Sequence, residues 1–148
     1  MVAIVVAGWA AKSGVAGARH VTTSVTVKTR KVPKLGTVLV NSKGLTLYMF
    51  VRDKQKKVTC TSAACVIVWP PLKIKNGQKP TAGGAANKNL LGTDTNPKGG
   101  RVVTYNRWPL YTYYLDKKPG QVKGQRVNNS GGLWYVLSPA GKVITTKP

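Results

Sequence analysis

The sequence predicts an all-β protein in which two related, mainly antiparallel β repeats pack as one sandwich- or barrel-like domain, with an extended N-terminal segment. Three observations predict this fold. Short runs of β-branched and aromatic residues are separated by Gly, Pro and Asn, which is typical of strands and turns. Glutamate is absent, and no segment keeps the apolar period of a helix. An aromatic run that ends in aspartate occurs twice, in residues 47–53 and 110–116, and indicates an internal repeat.

The first 20 residues are predicted to be an apolar N-terminal segment, residues 1–20, outside the sheet. The run from Met1 to Ala11 is shorter than the roughly 20 residues that a membrane-spanning helix needs, so we expect no membrane span. Small residues follow this run as in a secretion signal, although no basic residues precede it. We therefore expect either a signal-like segment or a tail that takes part in assembly between subunits.

The next two segments are predicted to be an N-terminal strand, residues 21–34, and the first repeat, residues 35–75. The run Val21–Val32 is β-branched and alternating, which predicts one extended strand at the edge of a sheet. Residues 38–41 and 45–51 flank a Ser-Lys-Gly turn and should form a hairpin. Both faces of residues 45–51 are largely apolar, so this strand is expected to be central and buried.

The rest of the chain is predicted to hold a linker and the second repeat. Residues 76–100 are rich in Gly, Asn, Lys and Pro and are expected to form a long surface loop. Residues 101–148 form the predicted second repeat, in which residues 102–105 and 110–115 pair as strands on either side of Asn106-Arg107. Each repeat then reaches a tryptophan, so the repeat extends beyond the aspartate motif.

Cys60 and Cys65 are the only cysteines of the chain. With a single histidine, His20, they cannot complete a four-ligand zinc site, so we expect no metal centre. Their spacing also differs from the Cys-x-x-Cys redox motif. A structural disulfide is therefore favoured over a redox-active pair or free thiols, and it would fit an oxidising compartment.

The two aspartate motifs supply the candidate ligand-binding residues. Aromatic faces stack on sugars, flavins or bases, and a carboxylate orients hydroxyl groups, so these side chains could line a binding site. Alternate aromatic residues are also ordinary sheet core, and an aspartate at a strand end accepts hydrogen bonds from turn amides. This structural interpretation is favoured. The residues are Tyr48, Phe50 and Asp53 in the first repeat and Tyr111, Tyr113 and Asp116 in the second.

No pattern in the sequence indicates catalysis. Asp53 and Asp116 would act as a glycosidase pair only at a separation of about 5–9 Å, and nothing else in the chain supports such a reaction. His20 has no nucleophile motif beside it. We expect neither an enzyme nor a cofactor.

The composition is strongly basic, with 24 Lys and Arg against three Asp and a formal net charge of +21. Such a charge attracts polyanions, and a preponderance of lysine favours diffuse attraction over geometry-specific recognition. Scarcity of carboxylates would also protect a secreted protein in an acidic medium, which is an alternative origin of the composition. The residues predicted to contact a polyanion are Lys28, Arg30, Lys31, Lys34, Arg52, Lys54, Lys56 and Lys57.

Several of these motifs together resemble the secreted-repeat family of predicted bacterial and archaeal lipoproteins, described by a Tyr-x-[Phe/Trp/Tyr]-x-x-Asp motif and largely of unknown function. The resemblance covers roughly residues 35–141 and implies an extracytoplasmic, disulfide-bearing repeat protein without an established activity. The chain departs from the family in its high basic charge, in the absence of a cysteine before Cys60 for a lipid anchor, and in Arg107 and Arg126 where members often have Gly. The motifs are residues 47–53, Cys60, Cys65, residues 69–72, 103–106, 108–113, 119–120, 124–125 and 131–136.

The leading functional hypothesis is a non-catalytic extracellular or cell-envelope protein, structural or adhesive, that is attracted to polyanions such as a polysaccharide, a nucleic acid or an acidic surface protein. In one version it assembles into oligomers or filaments, because the N-terminal strand adds to a neighbouring subunit. One alternative is a small-molecule or redox-partner binding module that uses the aromatic-Asp motifs. Another is a non-specific nucleic-acid binder, in which residues such as those of Tyr105-Asn106-Arg107-Trp108 combine stacking with phosphate attraction.

Overall fold

The computed structural model describes residues 13–14, 17, 24–53 and 57–148. Its strands are short and its one α-helix, α1, has six residues, so the predicted all-β class is confirmed. Among the described residues, no helix has both the length and the apolar character needed to cross a membrane. In chain order the elements are β1 Thr26–Val32, β2 Gly36–Val40, β3 Tyr48–Phe50, α1 Ala63–Val68, β4 Lys73–Ile74, β5 Thr81–Ala82, a 3₁₀ turn Lys88–Leu90, β6 Leu91–Thr95, β7 Arg101–Tyr105, β8 Trp108–Pro109, β9 Asn128–Asn129, β10 Gly132–Leu137 and β11 Val143–Ile144.

The strands form three small sheets. The first has the order β2-β1-β5, the second β11-β10-β3 with β9 beside β10, and the third β4-β7-β6 with β8 beside β7. All strand pairings are antiparallel apart from the parallel pair of β1 and β5. The sheets are not closed, and the arrangement is sandwich-like.

The predicted N-terminal edge strand lies in the middle of its sheet. Strand β1 pairs with β2 along Lys28–Val32, and its first two residues pair with β5 on the other side. The edge prediction is wrong here because Thr81–Ala82, expected in a loop, supplies the third strand. Residues 21–23 of the predicted strand lie outside the described residues. Most of the N-terminal segment to which an assembly role is assigned also lies outside them, so both stay predictions.

The turn after β2 is confirmed, but the strand that follows it has a different main partner. The Asn41 side chain accepts hydrogen bonds from the backbone N–H groups of Lys43 and Leu45, which closes the turn. Only Val40 and Thr46 then form a bridge, and β3 pairs with β10 instead of continuing along β2. The hairpin is therefore short, because the chain leaves β2 within a few residues of the turn.

Residues 76–100 are not one long loop. They contain β5, a 3₁₀ turn and β6, and β6 pairs with β7 over all five of its residues. The loop prediction, made from Gly, Asn, Lys and Pro, is wrong for residues 91–95, because pairing with β7 stabilises this segment as a strand. The pairing of β6 with β7 is the counterpart, in the second half of the chain, of the pairing of β1 with β2 in the first.

The predicted strand over residues 110–115 is also shorter than expected. After the turn at Asn106-Arg107, β8 pairs with β7 for two residues, and Tyr111 then bridges to Tyr48 and Pro71. The chain turns away at this point because the Tyr111 backbone bonds to the first repeat. The turn itself is where the sequence predicts it.

Strand β3 is buried on both faces, as predicted. Tyr48 and Phe50 belong to one core cluster, and Leu47 and Met49 belong to the other. The alternation of side chains along a strand therefore places β3 between two apolar layers. This central position is what brings the first aspartate motif next to the second repeat.

Arg107 and Arg126 both adopt left-handed backbone conformations, with φ of 71° and 64°. A side chain at such a φ costs about 1–2 kcal/mol, and glycine avoids this cost. This gain is partly offset, because glycine loses more conformational freedom on folding than arginine does. We therefore expect Arg107→Gly and Arg126→Gly each to raise the free energy of unfolding by about 0.5–1 kcal/mol. Urea unfolding of each variant measures this.

The matched control for the two arginines is Arg30→Gly, since Arg30 is an exposed arginine inside strand β1. Glycine in a strand interior lowers stability by about 0.5–1 kcal/mol, so this variant should move the unfolding midpoint in the opposite direction. Equal losses in all three variants would contradict the role of the backbone conformation.

The predicted disulfide is confirmed between Cys60 and Cys65, whose Cα atoms are 5.5 Å apart. It links the segment after β3 to helix α1. Both cysteines are buried, and the Ser62 hydroxyl accepts a hydrogen bond from the Cys65 backbone N–H at the start of the helix. The loop closed by the disulfide therefore belongs to the core and does not project from it.

Removal of the disulfide by Cys60→Ala with Cys65→Ala is expected to lower the free energy of unfolding by about 2 kcal/mol, because the unfolded chain regains the freedom of a short loop. Denaturant unfolding with and without a thiol reductant measures the loss. The reductant should reproduce the loss in the wild type and leave the double variant unchanged. A wild type that is insensitive to complete reduction would contradict a stabilising role.

Candidate functional site

The two aspartate motifs exchange hydrogen bonds across the interface between the repeats. The Tyr48 hydroxyl donates to Asp116 Oδ2 and the Tyr111 hydroxyl donates to Asp53 Oδ2, both at 2.6 Å. Each tyrosine thus bonds the aspartate of the other repeat. The backbones of Tyr48 and Tyr111 are also joined, by two N–H to carbonyl bonds of 2.8 and 2.9 Å. We call this arrangement, formed by these four residues, the tyrosine–aspartate crossing.

Asp53 is fully buried and accepts three hydrogen bonds. Besides the Tyr111 hydroxyl, the backbone N–H and the hydroxyl of Thr59 bond its Oδ1, at 2.8 and 2.6 Å. The next residue, Cys60, belongs to the disulfide. The segment that leads to the disulfide is therefore fastened to Asp53 through Thr59.

Asp116 has equivalent partners in the second repeat. It is 3% exposed and accepts bonds from the Tyr48 hydroxyl and from the Lys123 backbone N–H. The next N–H, of Gly124, donates to the Tyr48 hydroxyl at 3.2 Å. The predicted turn role of the aspartates is therefore extended, because each carboxylate binds one amide several residues further along its own repeat and one tyrosine of the other.

The pKa values of all four residues of the crossing are raised. Burial is the main cause for Asp53 and Asp116, and it outweighs the hydrogen bonds that favour the ionised carboxylates. Burial also raises the pKa of Tyr48 and of Tyr111, and the neighbouring aspartate adds to each shift. The tyrosines therefore keep their protons and serve as fixed donors.

The raised aspartate pKa values predict an unusual dependence of stability on pH. The folded protein binds protons at Asp53 and Asp116 more tightly than the unfolded chain does, whose aspartates titrate near about 3.9. The stabilising contribution is complete below that pH and is lost as pH rises through the folded-state pKa values. We expect the free energy of unfolding to be larger in mild acid than at neutral pH.

Urea unfolding at several pH values between about 3 and 7 measures this dependence. Asp94→Asn serves as the control, because Asp94 lies on strand β6 outside the crossing and the variant should keep most of the slope. A stability that decreases steadily on acidification would show that the two carboxylates are not held in a desolvating environment.

Four aromatic rings from the two repeats stack in one column, which we call the aromatic column. The indoles of Trp69 and Trp134 lie at its centre, 3.9 Å apart and nearly parallel. Phe50 stacks on Trp134 at 4.1 Å, and Tyr113 stacks on Trp69 at 4.3 Å. Both indole N–H groups bond Asn129, one to its side-chain oxygen and one to its carbonyl. Each repeat therefore places a ring against the tryptophan of the other.

The structure brings the six candidate motif residues together in one core. Tyr48, Asp53, Tyr111 and Asp116 belong to the crossing, and Phe50 and Tyr113 are the ends of the aromatic column. The members of the crossing are at most 3% exposed, which favours the structural interpretation of the motif over a ligand-binding one. A ligand-binding role of these residues stays a prediction.

Sequence reasoning missed three residues that hold this core. Thr59 binds Asp53, Asn129 accepts both indole N–H groups, and Gln125 joins Val136 to the carbonyls of Ile144 and Thr146. Short polar side chains in loops carry no pattern that distinguishes a buried partner from a solvated turn. Burial of the tryptophans and aspartates, which must find partners, is the only signal that points to such residues.

The residues predicted to contact polyanions are exposed wherever the structure describes them. Lys28, Arg30 and Lys31 project from strand β1, and Lys34, Arg52 and Lys57 lie in turns and loops. Lys54 and Lys56 lie outside the described residues. Lys28 and Arg30 line one cavity together with Lys43, whereas Arg52 and Lys57 follow strand β3 in the chain and do not line it.

The three carboxylate side chains do little to offset the surface charge. Asp53 and Asp116 are buried in the crossing, and the hydrogen bonds they accept come from tyrosine, threonine and backbone groups. Asp94 is half-buried, and its Oδ2 has no hydrogen-bond partner. The described surface therefore presents lysines and arginines without fully exposed carboxylates.

The comparisons with known proteins agree with this two-repeat architecture. A family model described as a secreted repeat of unknown function matches the chain twice, over residues 29–73 and 92–138. The two matches confirm the internal repeat and the predicted family resemblance, and the second begins inside the segment predicted as a linker. No curated protein and no solved structure matches the chain.

Proposed function

Because the chain belongs to the family of secreted repeats of unknown function, it is an extracellular or cell-envelope protein, and we propose that it is a non-catalytic protein that associates with anionic polymers there. The observation that carries the proposal is the separation of charges. Two of the three aspartates are buried inside the crossing, whereas the described lysines and arginines of the predicted contact set are exposed. In the part of the chain that the structure describes, the positive charge therefore lies at the surface.

Physical chemistry supports attraction to a polymer in preference to a compact anion. The cations of the predicted contact set lie on strand β1, in the turn after it and in the segment after β3, and a long polyanion gains from each contact in turn. Interactions between exposed charges are screened over about 10 Å at 0.1 M salt, so the association should weaken steeply as salt rises. Like charge also opposes close contact between two copies of the chain, which makes an anionic partner the better occupant of this surface.

Retention on an immobilised acidic polysaccharide tests the proposal. The purified protein should bind alginate beads at low salt, elute as the salt concentration rises, and pass through beads of neutral dextran. Replacement of Lys28, Arg30, Lys31 and Lys34 by Gln should lower the eluting salt concentration without changing the unfolding midpoint. Equal behaviour on charged and neutral beads would contradict the proposal, as would binding that salt leaves unchanged.

A further inference from the structure

An open groove lies on the third sheet, and none of the described cations that the sequence singled out lines it. It has a volume of about 660 Å³ and is bounded by the turn after β4 and by strand β6. An adjoining cavity of about 430 Å³ shares Gln78, Gly100 and Arg101 with it and extends it towards β4. Volumes of this size are typical of ligand sites. The polar side chains that line the main cavity are Asn76, Gln78, Lys79, Thr93, Thr95 and Arg101.

Arg101 is held in a fixed orientation within this groove. Its Nε and Nη2 donate to the Thr93 hydroxyl at 2.9 and 2.6 Å, and Nη2 also donates to the Thr93 carbonyl. Its Nη1 approaches the Thr95 hydroxyl at 3.5 Å. An oriented guanidinium loses less freedom on binding an anion than a mobile one, so this arginine is prepared for recognition.

The surroundings of Arg101 add positive charge and no opposing carboxylate. Lys79 lines the main cavity, and Lys73 and Lys75 line the adjoining one. Asp94 lies between Thr93 and Thr95 on β6, so its side chain points to the opposite face of the strand. The groove therefore brings four cations together, as the cavity lined by Lys28, Arg30 and Lys43 brings three.

The lining chemistry distinguishes between classes of polyanion. Amide and hydroxyl side chains suit the hydroxyl groups of sugars, and cations suit their carboxylate or sulfate groups. None of the residues that line the two cavities is aromatic. Single-stranded nucleic acids are held largely by stacking of bases on aromatic rings, which this groove does not offer. Sugars also stack on aromatic faces, so an acidic sugar would be held here through its charged and hydroxyl groups alone.

We propose that the groove centred on Arg101 is a binding site for acidic sugar units of an extracellular polysaccharide. The proposal rests on the proposed function and locates its specific contact. Arg101 binds the carboxylate or sulfate of one unit, Lys79, Lys73 and Lys75 bind flanking anionic groups, and Asn76 and Gln78 bind hydroxyls. Thr93 acts as a positioning residue, because it orients the guanidinium.

Equilibrium binding of defined oligosaccharides to the full-length protein tests the proposal, with fluorescence anisotropy of labelled probes as the readout. Arg101→Gln should weaken binding at least about tenfold, as expected for loss of a charge-assisted bond. Arg126→Gln, which removes the same charge from an exposed position outside both the groove and the predicted contact set, should weaken binding less than about twofold because that cation is screened. Thr93→Val should weaken oligosaccharide binding although it leaves the charge unchanged, because Arg101 loses the hydroxyl that orients it. Thr37→Val in β2 should leave oligosaccharide binding unchanged.

The probes also separate the possible ligands and the possible failures. An oligogalacturonate carries carboxylates only, a sulfated dextran oligomer carries sulfates only, and maltohexaose is neutral and should not bind. Tighter binding of either acidic probe identifies the preferred anionic group and supports the groove. If the wild type binds neither acidic probe at low salt, the proposed function and the groove both fail. If it binds but Arg101→Gln behaves like Arg126→Gln, or if single-stranded oligothymidylate binds tighter than both acidic probes, the groove alone is overturned.

Discussion

Asp53→Ala is expected to destabilise the protein by about 3–5 kcal/mol, because it leaves the Tyr111 hydroxyl and both donors of Thr59 without their acceptor. Asp116→Ala removes the acceptor of the Tyr48 hydroxyl and of one backbone N–H, and should cost about 2–4 kcal/mol. These losses are a large fraction of the stability of a domain of this size. Urea unfolding at neutral pH measures both.

The third aspartate supplies the matched control for these two variants. Asp94 is half-buried, and one of its oxygens has no partner. Asp94→Ala should therefore change the free energy of unfolding by less than about 0.5 kcal/mol, as is usual away from buried networks. Comparable small effects at all three positions would mean that the crossing does not support the fold, and would return the motif to consideration as a ligand site.

Truncation of the aromatic column is expected to have an effect of similar size. Trp69→Ala or Trp134→Ala opens a cavity between two rings and should cost about 3–5 kcal/mol. Each change also leaves Asn129 without one indole donor. Because the two indoles touch, the double variant should lose less than the sum of the single losses.

Trp108 is the matched control for the column, since it is half-buried in β8 and packs in the other core cluster. Trp108→Ala should cost clearly less than either column variant, because part of its ring already contacts solvent. Denaturant unfolding of the three single variants under one set of conditions makes the comparison. A larger loss at Trp108 than at Trp69 and Trp134 would contradict the central place of the column.

Much of the fold follows from the repeated motif, and the limits of that inference are physical. The pair of aspartate motifs predicts two related halves, and the apolar faces of residues 45–51 predict a central strand. Residues 76–100 were predicted as a loop because Gly, Asn and Pro are common there. Strand β6 forms nonetheless, since its pairing with β7 outweighs the weak preferences of its residues.

The exchange of partners between the repeats could not be predicted from local sequence. An aspartate at a strand end can be satisfied by a nearby turn amide, and Lys123 supplies such an amide for Asp116. Nothing in the sequence near Asp116 indicates that its second partner is Tyr48, in the other repeat. Only the packing of the two halves decides this, and packing is a property of the whole chain.

The basic surface was predicted from composition, but its most organised part was not. The residues predicted to contact polyanions form two runs that are each close in sequence. Arg101, Lys79 and Lys73 are separated along the chain and meet only because β4 and β6 both pair with β7. Arg101 also depends on Thr93, a residue that carries no sign of such a role in sequence.

Each repeat supplies the buried donor for the carboxylate of the other, so that the aspartates close the fold and leave the surface cationic. A double-mutant cycle between Tyr48→Phe and Asp116→Asn tests this exchange, with the free energy of unfolding as the readout. We expect a coupling energy of about 1–3 kcal/mol, the range for a buried hydrogen bond to a carboxyl group. Losses that add within about 0.3 kcal/mol would contradict it, because residues that share no interaction behave in that way.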